Sequence, residues 1–176
     1  MASRSLTIAR LVVFELAWFV CADSAARGRP AIGIAVVGTV VALNLALSRR
    51  RSADLALLAA SLAIGLAWDS ALGTAGLMVY ASPGSFPGIA PPWILAMWAL
   101  LATLLRDPMR WLHHRLVLAA LLGSIGGPIS YAAAVRLGAG TVLRPEITWV
   151  ALAVGWAVIT PVLLGLARRM DPAAVS

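Results

Sequence analysis

The apolar segment from 61 to 73 carries a single carboxylate, and this acid limits how the chain can fold. Ser61, Gly65, Asp69 and Gly73 recur every four residues, so on a helix they form one stripe, with Gly76 close beside it. Small residues at this spacing let two membrane helices approach closely. A charge that faces lipid is costly, so Asp69 should face protein or trapped water. The segment therefore predicts a polar point inside a helical bundle.

The composition places this bundle in a membrane. The 176 residues are 61% hydrophobic and 12% charged, and the mean hydropathy is +0.93. Several apolar runs approach or exceed the roughly 20 residues that cross about 30 Å of hydrocarbon. Because the loops between these runs are short, we expect residues 1–176 to form a single polytopic transmembrane domain without a separate soluble domain.

The net charge of +7 indicates how the chain is oriented in the membrane rather than a nucleic-acid partner. All fourteen basic residues are arginines, and most lie at the ends of predicted helices, which favours membrane anchoring over nucleic-acid binding. About ten of them fall on the side that would hold both termini, and about four on the other side. The positive-inside rule therefore predicts an all-α six-helix bundle with both termini in the cytoplasm.

Six transmembrane helices are predicted, at about 5–22, 31–47, 53–80, 93–105, 116–135 and 146–167. The first is weighed against a signal peptide, but Arg10 and Glu15 interrupt its apolar run, so we expect it to stay in the mature protein. Pro128 lies inside the fifth helix and should kink it. No sequence repeat is evident, and an inverted three-plus-three arrangement stays open.

The candidates for chemistry are the two acids inside the predicted membrane spans and one tyrosine. Asp69 comes first, as a proton acceptor, an ion ligand or an orienter of a polar substrate group. The alternative is a structural role, with hydrogen bonds from Ser, Thr or Trp donors on other helices. Glu15 and Tyr131 are further candidates. If the two acids meet, one should hold a proton, because like carboxylates in a low dielectric cannot both ionise cheaply.

A pocket is expected where the fifth helix bends, because a kink exposes backbone and Tyr131 follows it. The residues expected to line this pocket are Trp18, Trp68, Ser70, Gly127, Pro128 and Ser130. The polar stretch 106–115 is interpreted as an interfacial turn, in which Arg106, Arg110 and Trp111 contact lipid headgroups. Its histidines, His113 and His114, are adjacent and point about 100° apart on a helix, so we predict no metal site and no cofactor.

Several short stretches together resemble a known family. They are Trp68-Asp69-Ser70, Pro92-Trp93 with Met97-Trp98, Arg110-Trp111-Leu112, Gly126-Gly127-Pro128-Ile129-Ser130-Tyr131 and Arg136-Leu137-Gly138-Ala139. With them the chain resembles, over nearly its whole length, the bacterial inner-membrane family catalogued as domain of unknown function 2878. The resemblance implies a multi-pass protein of the inner membrane and assigns no activity. Members occur beside cyclopropane-type fatty-acid modification enzymes, which implies a link to envelope lipids.

Three functions are compatible with the sequence. The first is an accessory factor or small enzyme in membrane-lipid (fatty-acid) modification, with a polar intramembrane pocket around Asp69. The second is a small proton-coupled transporter or flippase-like carrier that uses Asp69 and Glu15. The third is a structural scaffold subunit that docks partners through its small-residue stripes. Membrane lipids and lipid-modifying enzymes are the expected partners.

Overall fold

The computed structural model describes residues 4–170, which form six helices and one pair of short strands. The helices are α1 (Arg4–Ala26), α2 (Pro30–Leu47), α3 (Arg51–Thr74), α4 (Pro92–Leu105), α5 (Leu116–Arg136) and α6 (Pro145–Arg169). The strands are β1 (Met78–Tyr80) and β2 (Gly140–Val142), which pair antiparallel. A single 3-10 turn, Arg110–Leu112, precedes α5. Five of the helices are long and apolar enough to cross a membrane, and α4 is apolar but shorter.

The predicted all-helical membrane fold is therefore confirmed, including the number of helices. Pro128 lies inside α5, which runs without interruption from Leu116 to Arg136. The kink at this proline and the cytoplasmic position of the termini stay predictions. We refer below to the arginine-rich end, which holds residues 48–50 and 106–115, and to the strand end, which holds β1 and β2.

The helices pack as three consecutive hairpins, and the short α4 of the second hairpin lies against the first hairpin. Each odd-numbered helix has its main contacts with the helix that follows it in sequence, and α4 also contacts α1 and α2. This central position explains why the side chains of Trp93, Leu100 and Leu105 in α4 are almost completely buried. The core between the hairpins is apolar throughout most of its length.

Helix α3 ends at Thr74, so the prediction that it continues to about Tyr80 was wrong. The cause is Gly76, whose φ of +65° lies in the left-handed region that favours glycine. The Leu77 N–H donates to the Leu72 carbonyl at 3.0 Å, and the Gly76 N–H donates to the Gly73 carbonyl at 3.1 Å. This pattern is a Schellman C-cap. The chain beyond it is free to form β1, a strand that was not predicted.

Helix α5 ends in the same way, and the two helix ends belong to a repeat that was not predicted. Gly138 is 62 residues after Gly76 and also has a positive φ, of +86°. The pairing of the two strands is symmetric about Val79 and Thr141, which are again 62 residues apart. The α3–β1 and α5–β2 segments are thus two copies of one helix–turn–strand unit.

The repeat extends into the packing of α3 and α5 on the helices that follow them. The Ser61 hydroxyl donates to the Trp98 carbonyl at 2.8 Å, and Gly65 lies against the Trp98 indole. In the second copy, Gly123 lies against the backbone carbonyl of Trp156, and Gly127 against its indole. Small residues are therefore needed at these positions because a tryptophan of the next helix fills the space, as close helix approach requires.

We expect Gly65→Ala to destabilise the protein by about 1–3 kcal/mol, the range for overpacking a tight core. A Cβ at this position would overlap the Trp98 ring, which also stacks on Trp156. Thermal unfolding in detergent measures the effect. Gly38→Ala is the matched control, because a Cβ at Gly38 in α2 meets no atom within 4 Å. Equal melting temperatures of the Gly65→Ala and Gly38→Ala proteins would contradict this packing.

Candidate functional site

Asp69 lies at the centre of a buried hydrogen-bonded cluster. Its Oδ1 accepts the hydroxyls of Tyr80 and Tyr131, each at 2.6 Å, and its Oδ2 accepts the Trp98 indole N–H at 2.6 Å. The side chain is fully buried. The expectation that Asp69 faces the inside of the bundle is thus met. Two tyrosines and a tryptophan surround it, whereas the structural alternative had named Ser, Thr or Trp as donors.

Four elements bring this cluster together near the strand end. Asp69 is about 8 Å from the end of α3 at 1.5 Å per residue, so it is nearer this end than predicted. Tyr80 reaches it because the chain turns back into β1, and Trp98 reaches it from α4. Tyr131 of α5 is the residue that corresponds to Asp69 in the second copy of the repeat, 62 positions later.

The cluster fits a carboxylate that only accepts hydrogen bonds. An indole N–H can only donate, so Oδ2 must act as an acceptor toward Trp98. Burial raises the pKa of the Tyr80 phenol well above its usual range, and the Asp69 charge raises it further. Tyr80 therefore keeps its proton, and its hydroxyl donates a hydrogen bond to Oδ1. Within residues 4–170, the three hydrogen-bonding partners of the Asp69 side chain are all neutral.

A cavity of about 440 Å³ extends from this cluster toward the outside of the bundle. This volume falls within the roughly 300–1,000 Å³ of ligand sites in proteins. Residues of α1, α4, α5 and α6 form its walls, and Tyr80 and Gly140 close it at the strand end. The walls are mainly apolar and rich in aromatic rings, which belong to Phe14, Trp18, Tyr80, Trp93, Trp98, Tyr131 and Trp156.

Stacked rings make the inner wall rigid. The indoles of Trp98 and Trp156 stack with centroids 5.1 Å apart, and the Tyr131 ring contacts Trp156 edge-on at 6.5 Å. Trp98 and Tyr131 are the same residues that donate to Asp69, so the carboxylate fixes the rings that shape the cavity. Such coupled contacts restrict both rings to one orientation.

The exposed residues that line the cavity all lie on α1 or α5, two helices that pack mainly against other helices, so we infer that the cavity opens between them. Its mouth is lined by exposed residues of both helices: Glu15, Leu122, Gly126 and Ile129. Glu15 lies about 17 Å along α1, whose 23 residues extend about 35 Å at 1.5 Å per residue. The mouth is therefore at the mid-depth of the helices, where a membrane protein faces hydrocarbon rather than water.

Only some of the predicted pocket residues line this cavity. Trp18, Gly127 and Ser130 do, together with the candidates Asp69, Glu15 and Tyr131. The other three have different surroundings. The Ser70 hydroxyl accepts the Ala90 N–H at 3.0 Å, the Trp68 indole packs against Gly155, and Pro128 is absent from the wall. The structure also adds Tyr80 and Trp98, which sequence reasoning missed as site residues.

Arg106, which was predicted to contact lipid headgroups, forms a largely buried ion pair. Its Nε is 3.1 Å from Oδ1 of Asp54, and both side chains are largely buried, with 12% and 13% exposed. Its Nη2 donates to the Ser48 hydroxyl at 3.2 Å. Arg106 thus joins the start of α3 to the end of α4, and its headgroup role stays a prediction. Arg110 and Trp111 are exposed in the following turn, and their headgroup role stays a prediction.

Comparison with known proteins decides the family. The family model described as protein of unknown function (DUF2878) matches residues 7–162. The chain belongs to this family. The matched region of DUF2878 includes both copies of the helix–turn–strand repeat and the whole Asp69 cluster. No curated protein and no solved structure matches the chain.

Proposed function

We propose that this DUF2878 protein binds a lipid or lipid-derived amphiphile in the cavity between α1 and α5. In this proposal it serves membrane-lipid modification in the bacterial inner membrane, as a small enzyme or as an accessory factor to a lipid-modifying enzyme. The observation that carries the proposal is the opening of an aromatic cavity at mid-membrane depth, with one polar cluster at its inner end.

The shape of the cavity favours a ligand that arrives through the bilayer. A water-soluble substrate would need an opening at one of the two ends, whereas the exposed lining residues Leu122 and Ile129 lie in the middle of α5. Apolar walls with few polar groups at fixed positions are typical of sites that hold a hydrocarbon body and orient one functional group. In this proposal the polar groups of the cavity wall orient that group, and Asp69 holds the Trp98 and Tyr131 rings of the inner wall in place.

The proposal predicts that a leucine at position 126 blocks lipid entry. Gly126 lies at the mouth, and a Cβ there meets no atom within 4 Å, so Gly126→Leu should fill the opening without disturbing the fold. Phospholipids brominated in the acyl chain quench nearby tryptophans, and Trp18, Trp93, Trp98 and Trp156 line the cavity. We expect this quenching to fall clearly in Gly126→Leu.

Gly38→Leu is the matched control, since Gly38 is an equally exposed helix glycine with open space around it and lies outside the cavity. It should quench like the unmodified protein. Equal quenching in both variants would contradict lipid entry through this mouth. The lipid-modification role has its own test, which is the lipid profile of a deletion strain complemented with each variant. An unchanged profile after deletion would contradict that role.

A proton-coupled carrier is the second candidate, and the two carboxylates of the cavity favour it. Glu15 lies at the mouth and Asp69 behind the inner wall, and the cavity adjoins the interface between the two copies of the repeat. Binding sites of many transporters lie at such interfaces near the mid-membrane. Flux into vesicles that depends on a pH gradient would support the carrier, and its absence would leave the lipid-modification role.

The scaffold function loses its main support. Ser61, Gly65 and Gly73 contact Trp98 and Gly88 of the same chain, so this stripe is already used inside the bundle. Enlarging Gly65 would therefore disturb the fold whatever the protein does. It cannot separate a scaffold from an enzyme.

A further inference from the structure

The residues of the cavity wall that carry a charge at neutral pH when exposed to water all have one sign. Glu15 and Asp69 are acids, and among the described residues that line the cavity there is no arginine, lysine or histidine. This is unusual in a chain with a net charge of +7, in which arginines outnumber acids two to one. The cavity is thus an acidic region of an otherwise basic protein.

Glu15 lacks any partner within residues 4–170. In that described part of the chain, no hydrogen bond or ion pair involves its side chain, although Arg10 lies little more than one turn away on α1. Arg10 instead forms an ion pair with Asp107, with Nη1 and Oδ2 2.9 Å apart at the arginine-rich end. Glu15 is left as an unpaired carboxylate at the mouth.

An unpaired carboxylate at mid-membrane depth is costly unless something neutralises it. An anionic ligand would add a second negative charge in a low dielectric and would be repelled. A cation that enters with a ligand would instead pair with Glu15. Trp18 lies on the same face of α1, one turn further on, and aromatic rings next to an acid are the usual surroundings of a bound ammonium group.

We infer that the ligand of this cavity carries a cationic group, a quaternary or protonated ammonium on a hydrocarbon chain, which pairs with Glu15 beside Trp18. The inference rests on the proposed function, since it names the chemical class of the amphiphile. Asp69 has no exposed surface and does not touch the ligand in this arrangement. It is a positioning residue, which fixes Trp98 and Tyr131 in the inner wall.

The test compares three probes of equal chain length with the purified protein in maltoside micelles. They are tetradecyltrimethylammonium, its neutral isostere in which carbon replaces the nitrogen, and the anion tetradecyl sulfate. Binding is followed by the change in tryptophan fluorescence. We expect the cation to bind at least about tenfold more tightly than the neutral isostere, and the anion more weakly than both.

Glu15→Gln removes the charge from an exposed side chain, so it should fold normally and bind the cation and the isostere about equally. Glu146→Gln is the matched control, because Glu146 is an exposed acid in the first turn of α6, outside the cavity. It should keep the preference for the cation. Equal binding of all three probes by the unmodified protein would overturn the cationic class and leave the proposed function intact. Binding of none of them, together with equal quenching in the Gly126→Leu test, would overturn both.

Discussion

Asp69→Leu should destabilise the protein by several kcal/mol, because three buried donors lose their acceptor at once. The hydroxyls of Tyr80 and Tyr131 and the indole N–H of Trp98 all donate to this carboxylate at 2.6 Å. A buried donor that is left unpaired costs about 1–3 kcal/mol. We expect low accumulation in the membrane and a large drop in the melting temperature of the purified protein.

Asp69→Asn should be far milder, and the donors explain why. The amide oxygen can face Trp98, which only donates, while the amide NH₂ faces the two tyrosine hydroxyls, which can accept as well as donate. The cluster then keeps its hydrogen bonds and loses its charge. Melting temperature and abundance measured for both variants separate the two effects. A leucine variant that melts like the unmodified protein would contradict the cluster described here.

The asparagine variant also tests whether Asp69 acts in function through its charge. If it does, Asp69→Asn should insert and accumulate normally yet fail to restore the phenotype of a deletion strain. Protein abundance must be measured in the same cells, because a poorly accumulated variant fails for a different reason. Full complementation at normal abundance would assign Asp69 a purely structural role.

The burial of Asp69 could be predicted from two features of the sequence: the cost of a charge that faces lipid and the four-residue spacing of small residues on one helix face. Small residues four apart mark the face that packs closely, and the acid shares that face. Its partners needed more information. Tyr80 is eleven residues away and would lie beyond Asp69 on a continuous helix, so it reaches the carboxylate only because α3 ends at Gly76. In the sequence Gly76 lies close beside the stripe of small residues, but glycine is also the usual signal for a helix C-terminus.

The repeat was missed for a related reason. Its signature is a spacing of small residues before a helix-ending glycine, at 61, 65 and 76 in the first copy and at 123, 127 and 138 in the second. The side chains around these positions differ, and Asp69 corresponds to Tyr131. The two copies therefore share small residues at the same positions rather than similar side chains. The reason for the small residues is visible only in the structure, where a tryptophan of the next helix occupies the space beside them.

The position of Arg106 could not be predicted from local sequence, because its partner Asp54 is 52 residues away. An arginine in a polar turn next to a predicted membrane surface is typical of headgroup contact. In the structure it joins two elements that are distant in sequence, at the arginine-rich end of the bundle. This ion pair is a second place where one substitution should have a large effect.

We expect Arg106→Met to destabilise the protein by about 3–5 kcal/mol, the range for removing one partner of a buried ion pair. Asp54 would keep its charge in a site where its side chain is only 13% exposed. Arg10→Met is the matched control, since the side chains of its ion pair with Asp107 are 28% and 42% exposed. Exposed pairs contribute about 0–1 kcal/mol, so this control should melt close to the unmodified protein.

The double variant Asp54→Leu with Arg106→Met distinguishes an uncompensated charge from lost packing. Replacing both partners of a buried pair with apolar residues is often neutral or stabilising. The double variant should therefore recover most of the stability that Arg106→Met loses. If Arg106→Met instead has the same melting temperature as the Arg10→Met control, the ion pair contributes little to stability and Arg106 is free to contact headgroups. If only the single variant is unstable, the charge of Asp54 is the cause, and Arg106 is needed to neutralise it where α3 begins.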